Sequence, residues 1–189
     1  MAASIDFQNL YADISAELGR TLTLKGVEFE FEWYEPVVAA TNGKVYLRVT
    51  TPVNKYTLVS FREIRHDQER GFYRQYLTFS GGTVSRTIDP VKLRGDSTVN
   101  SEATFEVITA PTVDVNDAFS AIPLWGTGDQ GSKPGQGSGL NDTQATRVIP
   151  PGVVVLLEFE NNSANPAAWY AYFKQFEVPP AALPETGDI

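Results

Sequence analysis

Glu28, Glu30 and Glu32 occupy alternate positions in VEFEFEW, which places three carboxylates on one face of a strand. Neighbours on such a face lie about 7 Å apart. That spacing falls within the roughly 5–9.5 Å needed by the carboxylate pair of a glycosidase. Hydrolysis is therefore one chemistry open to this strand, with Glu30 as the residue to test. The other reading starts from Val27, Phe29, Phe31 and Trp33, which alternate with the acids and form an apolar face. Acids opposite an apolar face describe a solvated strand, able to meet Lys or Arg of a partner, and this reading is preferred.

The remaining reactive residues are sparse. His66, the one histidine, ends a strand in REIRHDQERG and reads as an exposed turn histidine. No set of His, Cys and carboxylate ligands accompanies it at metal-binding spacing, and nothing resembles a nucleophile elbow. GTGDQGSK has the glycines of a phosphate loop but not the Gly-Lys-Ser/Thr order, and Pro134 follows instead of a helix. Arg94-Gly95-Asp96 spells an adhesion tripeptide too short to carry a role. Asn161-Asn162-Ser163 and Asn141-Asp142-Thr143 match glycosylation acceptors, with no secretory signal to bring them into use. No catalytic residue, cofactor or metal site is expected.

Residues suited to protein contacts are more evident. Arg62, Arg65, Arg70 and Arg74 gather around an expected Phe61–Tyr76 hairpin, with Glu63, Asp67 and Glu69 among them and Phe72, Tyr73 and Tyr76 alongside. Mixed charge with aromatics favours a protein interface over phosphate binding. An equally open reading divides these residues between core and rim. Arg65, Arg70, Phe72, Tyr73 and Trp125 are taken as candidate partner contacts. Phe7, Leu10, Tyr11 and Ile14 join them, from a segment discussed below.

Composition narrows the classes. The 189 residues carry a net charge of −8, with 42% hydrophobic and 12% aromatic residues and no cysteine. That is enough for one domain with a sizeable core. Nucleic-acid binding is not expected, because it requires clustered Lys and Arg to displace counterions. Disulfides and thiolate sites are excluded, consistent with synthesis in a reducing cytosol. The N-terminus lacks the basic and continuous apolar regions of a secretory signal. No apolar run approaches the ~18 residues that span a bilayer, so no membrane partner is expected.

The elements that position these residues follow from periodicity. Phe7, Leu10, Tyr11, Ile14 and Leu18 fall at helical spacing between a Ser4 N-cap and a Gly19 C-cap, predicting a helical arm over 1–19. The arm either packs on its own domain or docks on a neighbouring subunit. From residue 20 to 177 the period is two, predicting a β-sandwich domain. Asn42-Gly43 is a hairpin signal joining Val37–Ala40 to Lys44–Thr51. Further strands are predicted at Tyr56–Arg65, Phe72–Ser80, Thr83–Ile88, Ala103–Ala110, Ala118–Leu124, Val153–Glu160 and Ala168–Glu177. Within Ile149–Glu177 the last two read as paired strands. Val153, Val155, Leu157 and Phe159 share one face, and Val154, Leu156, Glu158 and Glu160 the other. Residues 126–146, Gly-rich at their start, are expected to be a flexible loop, and 178–189, with three prolines, an extended tail.

The order of these turns and strands is similar to that of tailed-bacteriophage virion proteins. The matching positions are Pro90–Leu93, Ser97–Ala103, Pro111–Val113, Pro150–Gly152, Asn161–Ser163 and Phe176–Glu177, within Tyr56–Glu177. The resemblance implies an all-β, jelly-roll-like sandwich and a structural, non-enzymatic role as a capsid cement or decoration protein. It also implies the major capsid protein as partner, a homotrimer, and the exterior of the virion as location. Tail or head-fibre proteins of similar pattern bind a host receptor or glycan, for which Trp125, Trp169 and Tyr170 would be the stacking platforms. A third possibility is a jelly-roll hydrolase using the Glu strand.

Overall fold

The computed structural model describes residues 28–68, 70–92, 98–118, 120–125, 138–142 and 147–180. These residues form an all-β structure. In chain order the strands are β1 (Glu28–Val38), β2 (Gly43–Thr50), β3 (Tyr56–His66), β4 (Arg70–Tyr76), β5 (Ser80–Ile88) and β6 (Val91–Lys92). They continue with β7 (Thr104–Thr112), β8 (Ser120–Trp125), β9 (Ser138–Asp142), β10 (Arg147–Ile149), β11 (Val154–Asn161) and β12 (Ala167–Val178). Among the described residues the only helical turn is the 3-10 turn Val115–Asp117, capped by the Asp114 carboxylate. The helix expected over 1–19 lies outside the described residues.

The strands make two antiparallel sheets. Sheet A runs β10-β3-β12-β1-β6, with β9 also on β3; sheet B runs β5-β7-β2-β11-β4-β8. β10 pairs with Thr57–Val59 and β9 with Arg62–His66, so the two lie end to end along one edge of β3. The sheets face each other across a shared core. Phe31, Trp33, Ile64, Trp169, Ala171 and Phe173 come from sheet A, and Leu47, Val49, Tyr73, Phe105, Val107, Val155, Leu157 and Phe159 from sheet B. Strict alternation accounts for this set, since period-2 side chains of one hand point inward. Phe31 stacks on Phe105 at 4.0 Å between ring centroids, and Phe159 meets Trp33 at 4.9 Å and Trp169 at 5.4 Å.

The predicted strands appear, but the predicted hairpin pairings do not. β11 pairs with β2 and β4 in sheet B, whereas β12 pairs with β1 and β3 in sheet A. Ile149–Glu177 is therefore a crossover between sheets and not a hairpin. Each strand has one strongly apolar face, and opposite sheets let those faces bury each other. The Asn42-Gly43 turn behaves in the same way, carrying the chain from β1 in sheet A to β2 in sheet B. Thr41 and Asn42 adopt φ of 52° and 65°, the left-handed pair of a tight turn. Their amides bond to Ser163 O at 2.9 Å and Asn161 O at 2.8 Å, on the other crossover, instead of to a hairpin partner. A third correction concerns the segment expected as a loop over 126–146, where Ser138–Asp142 is strand β9.

Two buried polar residues join the sheets. The Asn161 side-chain amide donates to Val38 O (3.2 Å), Ala39 O (3.0 Å) and Asn165 O (2.8 Å), and its oxygen accepts from Ser163 N (3.0 Å). The Asn-x-Ser acceptor is thus consumed by the turn it builds, with Asn161 fully buried. At the far end of the crossover strand, the Glu177 carboxylate accepts from the amides of Glu102 (2.9 Å) and Ala103 (3.1 Å) and from the Ser101 hydroxyl. A buried carboxylate so bonded ties the end of β12 to the start of β7.

Candidate interaction surface

The outer face of sheet A is the part of the described surface where aromatic and charged side chains converge. Because Phe31 and Trp33 point inward, Glu30, Glu32 and Tyr34 of β1 point outward. On β12 the inward Trp169, Ala171 and Phe173 leave Tyr170, Tyr172 and Lys174 outside, and on β3 the inward Ile64 leaves Glu63 and Arg65 outside. The register aligns them in rows: Tyr34, Tyr170 and Arg65 in one, Glu32, Tyr172 and Glu63 in the next, Glu30 and Lys174 in the third. Adjacent members of a row are separated by one inter-strand spacing, about 4.8 Å.

Specific contacts order the patch. The Tyr172 hydroxyl donates to Glu30, whose carboxylate also faces Lys174 Nζ at 3.3 Å. Arg65 Nε donates to Glu63 at 2.6 Å, and its guanidinium lies 5.7 Å from the Tyr170 ring centre. Burial, with the Glu32 and Glu63 charges nearby, raises the Tyr170 phenol above its usual range. Tyr172 rises further through burial and its bond to Glu30, so both rings remain neutral hydrogen-bonding phenols. Tyr34 is 56% exposed, and Glu32 is exposed beside it. β6 covers only Phe29 and Glu30 of β1, so among the described residues the edge beyond Glu30 is open. Pro36 and the bulge between Glu35 and Val38 protect that edge against further strand pairing.

The outer face of sheet B is built differently. Glu158 and Glu160 lie on it, both buried, and Arg74 donates to both while Lys44 Nζ sits 3.2 Å from Glu158. Burial alone would raise the Glu160 carboxyl, but Arg74 and Lys44 outweigh it and hold the group below the usual carboxylate range. Burial and Glu158 push the Tyr76 phenol up to about 12. Beside these charges, Tyr76, Ile108 and Leu156 form a second apolar cluster that Phe79, Val113 and Ala118 pack against. Glu158, Glu160 and this apolar cluster are thus buried within the face.

The sequence-predicted contacts are dispersed by the fold. β3 and β4 belong to different sheets, so the expected Phe61–Tyr76 hairpin does not form and its arginines separate. Arg65 lies on the outer face of sheet A, Arg70 is exposed at the start of β4, and Phe72 is half-buried on sheet B with the Arg74 guanidinium 4.7 Å over its ring. Tyr73 points the opposite way, into the core, with no exposed surface to offer a partner. Trp125 ends β8 opposite Arg70 in the register. Phe7, Leu10, Tyr11 and Ile14 lie outside the described residues. Trp169, named as a stacking platform, is fully buried, whereas Tyr170 is on the outer face.

His66 also departs from expectation. It is 1% exposed, its ring lies 4.3 Å from that of Trp169, and its Nδ1 is 3.1 Å from Gln68 O. Burial lowers its pKa against the opposing pull of the Gln68 carbonyl and Asp67. Among the described residues no group of three or more His, Cys, Asp or Glu side chains could hold a metal ion.

Tyr34, Tyr172 and Lys174 were not singled out from sequence as contact residues. Alternation in WYAYFK separates Trp169 and Phe173 from Tyr170 and Tyr172 and could have added Tyr172 to Tyr170 while setting Trp169 aside. That β1 lies beside β12 was not readable, since the strands are more than a hundred residues apart. No protein-family model matches the chain, and no curated protein is significantly similar to it.

Proposed function

We propose that the protein is a non-catalytic structural component of a bacteriophage particle. In this reading it is a capsid cement or decoration protein, made in the host cytoplasm, that sits on the head exterior and bridges major capsid subunits as a homotrimer. The observation that carries the proposal is the outer face of sheet A, where tyrosines, Arg65 and carboxylates are presented together on a rigid sheet. Tyr and Arg are the residues that dominate protein–protein hot spots. The strand and turn order over Tyr56–Glu177 supports the phage assignment. Repeated passage of the chain between sheets supports a jelly-roll-like sandwich. Three linked copies would multiply a modest contact through avidity.

The test is reconstitution. Heads lacking the protein are incubated with it, sedimented, and heated while DNA release is followed. Co-sedimentation and a higher release temperature are expected; equal stability with and without bound protein would overturn the cementing role. A second reading, a tail or head-fibre protein that binds a host receptor or glycan, is favoured by the grouping of Tyr34, Tyr170 and Tyr172, whose rings could stack on sugar. Retention on a glycan array would select it.

A further inference from the structure

The cement reading names a partner but not the chemistry of the contact. We infer that the corner of sheet A formed by Glu32, Tyr34, Tyr170 and Tyr172 receives a cationic side chain, an arginine or lysine, from the surface of a partner protein.

The charges of the patch support this. Glu30, Glu32 and Glu63 supply three carboxylates against two cations, Lys174 and Arg65, and each cation is already close to one carboxylate, Glu30 and Glu63 respectively. Among the described residues, the charge without an ion-pair partner in this group lies at Glu32, its exposed acid. Tyr172 is directly across from it in the register, and Tyr34 follows two residues along the same strand. Tyr170 is diagonal to it. A cation placed over Glu32 would therefore meet a carboxylate and the faces or edges of tyrosine rings together. Cation–π attraction contributes where the site is partly desolvated, and the planar guanidinium can also form a paired bond with the carboxylate.

The patch already shows a version of this contact. Arg65 lies over the Tyr170 ring while bonded to Glu63. The Glu32 corner repeats the components, tyrosine beside carboxylate, without a cation of its own in the same row. Among the described residues no strand pairs with β1 beside Glu32, past the two positions that β6 covers, so a partner can approach laterally as well as from above. The net charge of −8 favours a basic partner at long range.

This inference rests on the shell-binding reading but can fail separately from it. The probe is acetyl-arginine amide, titrated into the full-length protein with isotope-labelled tyrosine rings. The uncharged isostere acetyl-citrulline amide serves as control, and Tyr→Phe variants assign the signals. Saturable shifts of the Tyr34, Tyr170 and Tyr172 rings are expected with arginine, about three- to tenfold weaker with citrulline. A similar loss is expected in Glu32→Gln, and Tyr34→Ala gives a second exposed variant with circular dichroism to show that both fold. Equal responses to arginine and citrulline, or an unchanged response in Glu32→Gln, would overturn the inference. So would stronger ring shifts with cellohexaose, which would assign the face to saccharide, or self-association abolished by Glu32→Gln, which would assign it to a second copy. Head binding undiminished in Glu32→Gln would remove this corner from the interface and leave the cement reading intact. An arginine response with no head binding would do the reverse.

Discussion

At the scale of single residues, His66 shows how burial becomes a pH dependence. The folded protein holds the imidazole below its ordinary pKa of about 6.5, whereas the unfolded chain does not. A depressed base means that the unfolded state binds more protons near and below that value, so stability is complete above it and falls as pH drops through it toward the lower folded pKa. Glu160 acts in a lower window. Its folded pKa is depressed, so its contribution is present above the ordinary carboxylate value and disappears as pH falls through the folded one. Thermal melts in a pH series should show both steps, and His66→Gln should remove the upper one while keeping the lower. The burial of His66 could not be read locally. REIRHDQERG is polar apart from Ile64 and Gly71, and only the pairing of His66 with Trp169 across β3 and β12 puts the ring inside.

At the scale of elements, the alternation of side chains was legible and the partners of the strands were not. VEFEFEW and VVVLLEFE each declare which residues share a face, and the described members of those faces were found as expected. Whether a turn returns a chain to the same sheet depends on what the two strands must bury, which a turn motif does not encode. Asn42-Gly43 illustrates the difference, because the tight turn forms but leads across the sandwich. Gly43 is held there by space: a β-carbon on it would lie 2.1 Å from Ala39 O. Gly43→Ala should therefore force the turn away from the Asn161 side chain that bonds Ala39 O, at a cost of about 2–4 kcal/mol in chemical denaturation. A change below ~0.5 kcal/mol would show that the crossover yields easily. The outer patch was partly legible for the same reason, since Glu30, Glu32 and Tyr170 could be assigned to faces while their proximity arises from the β1–β12 pairing.

At the scale of the molecule, β12 unites the structure. It lies between β1 and β3, places Trp169, Ala171 and Phe173 in the core, and anchors β7 through Glu177. A chain ending at Pro166 should lose cooperative unfolding and bind a hydrophobic dye, because β1 and β3 would each lack their main neighbour and the core one of its walls. Retention of a sharp thermal transition would contradict this account. The same pairing has a further effect on layout. Glu28 stands opposite Phe176 and Val38 opposite Ala167, so the chain enters β1 and leaves β12 at the same pole. The Tyr34–Tyr170 row is toward the other pole, six residues along β1 from Glu28, or roughly 20 Å. A fluorophore or affinity handle spliced in just ahead of Glu28 or behind Val178 is thus attached away from the tyrosines. A linker joining those two points would need to bridge little more than one strand spacing, which makes this pole the natural closure site for a circularly permuted version of the domain.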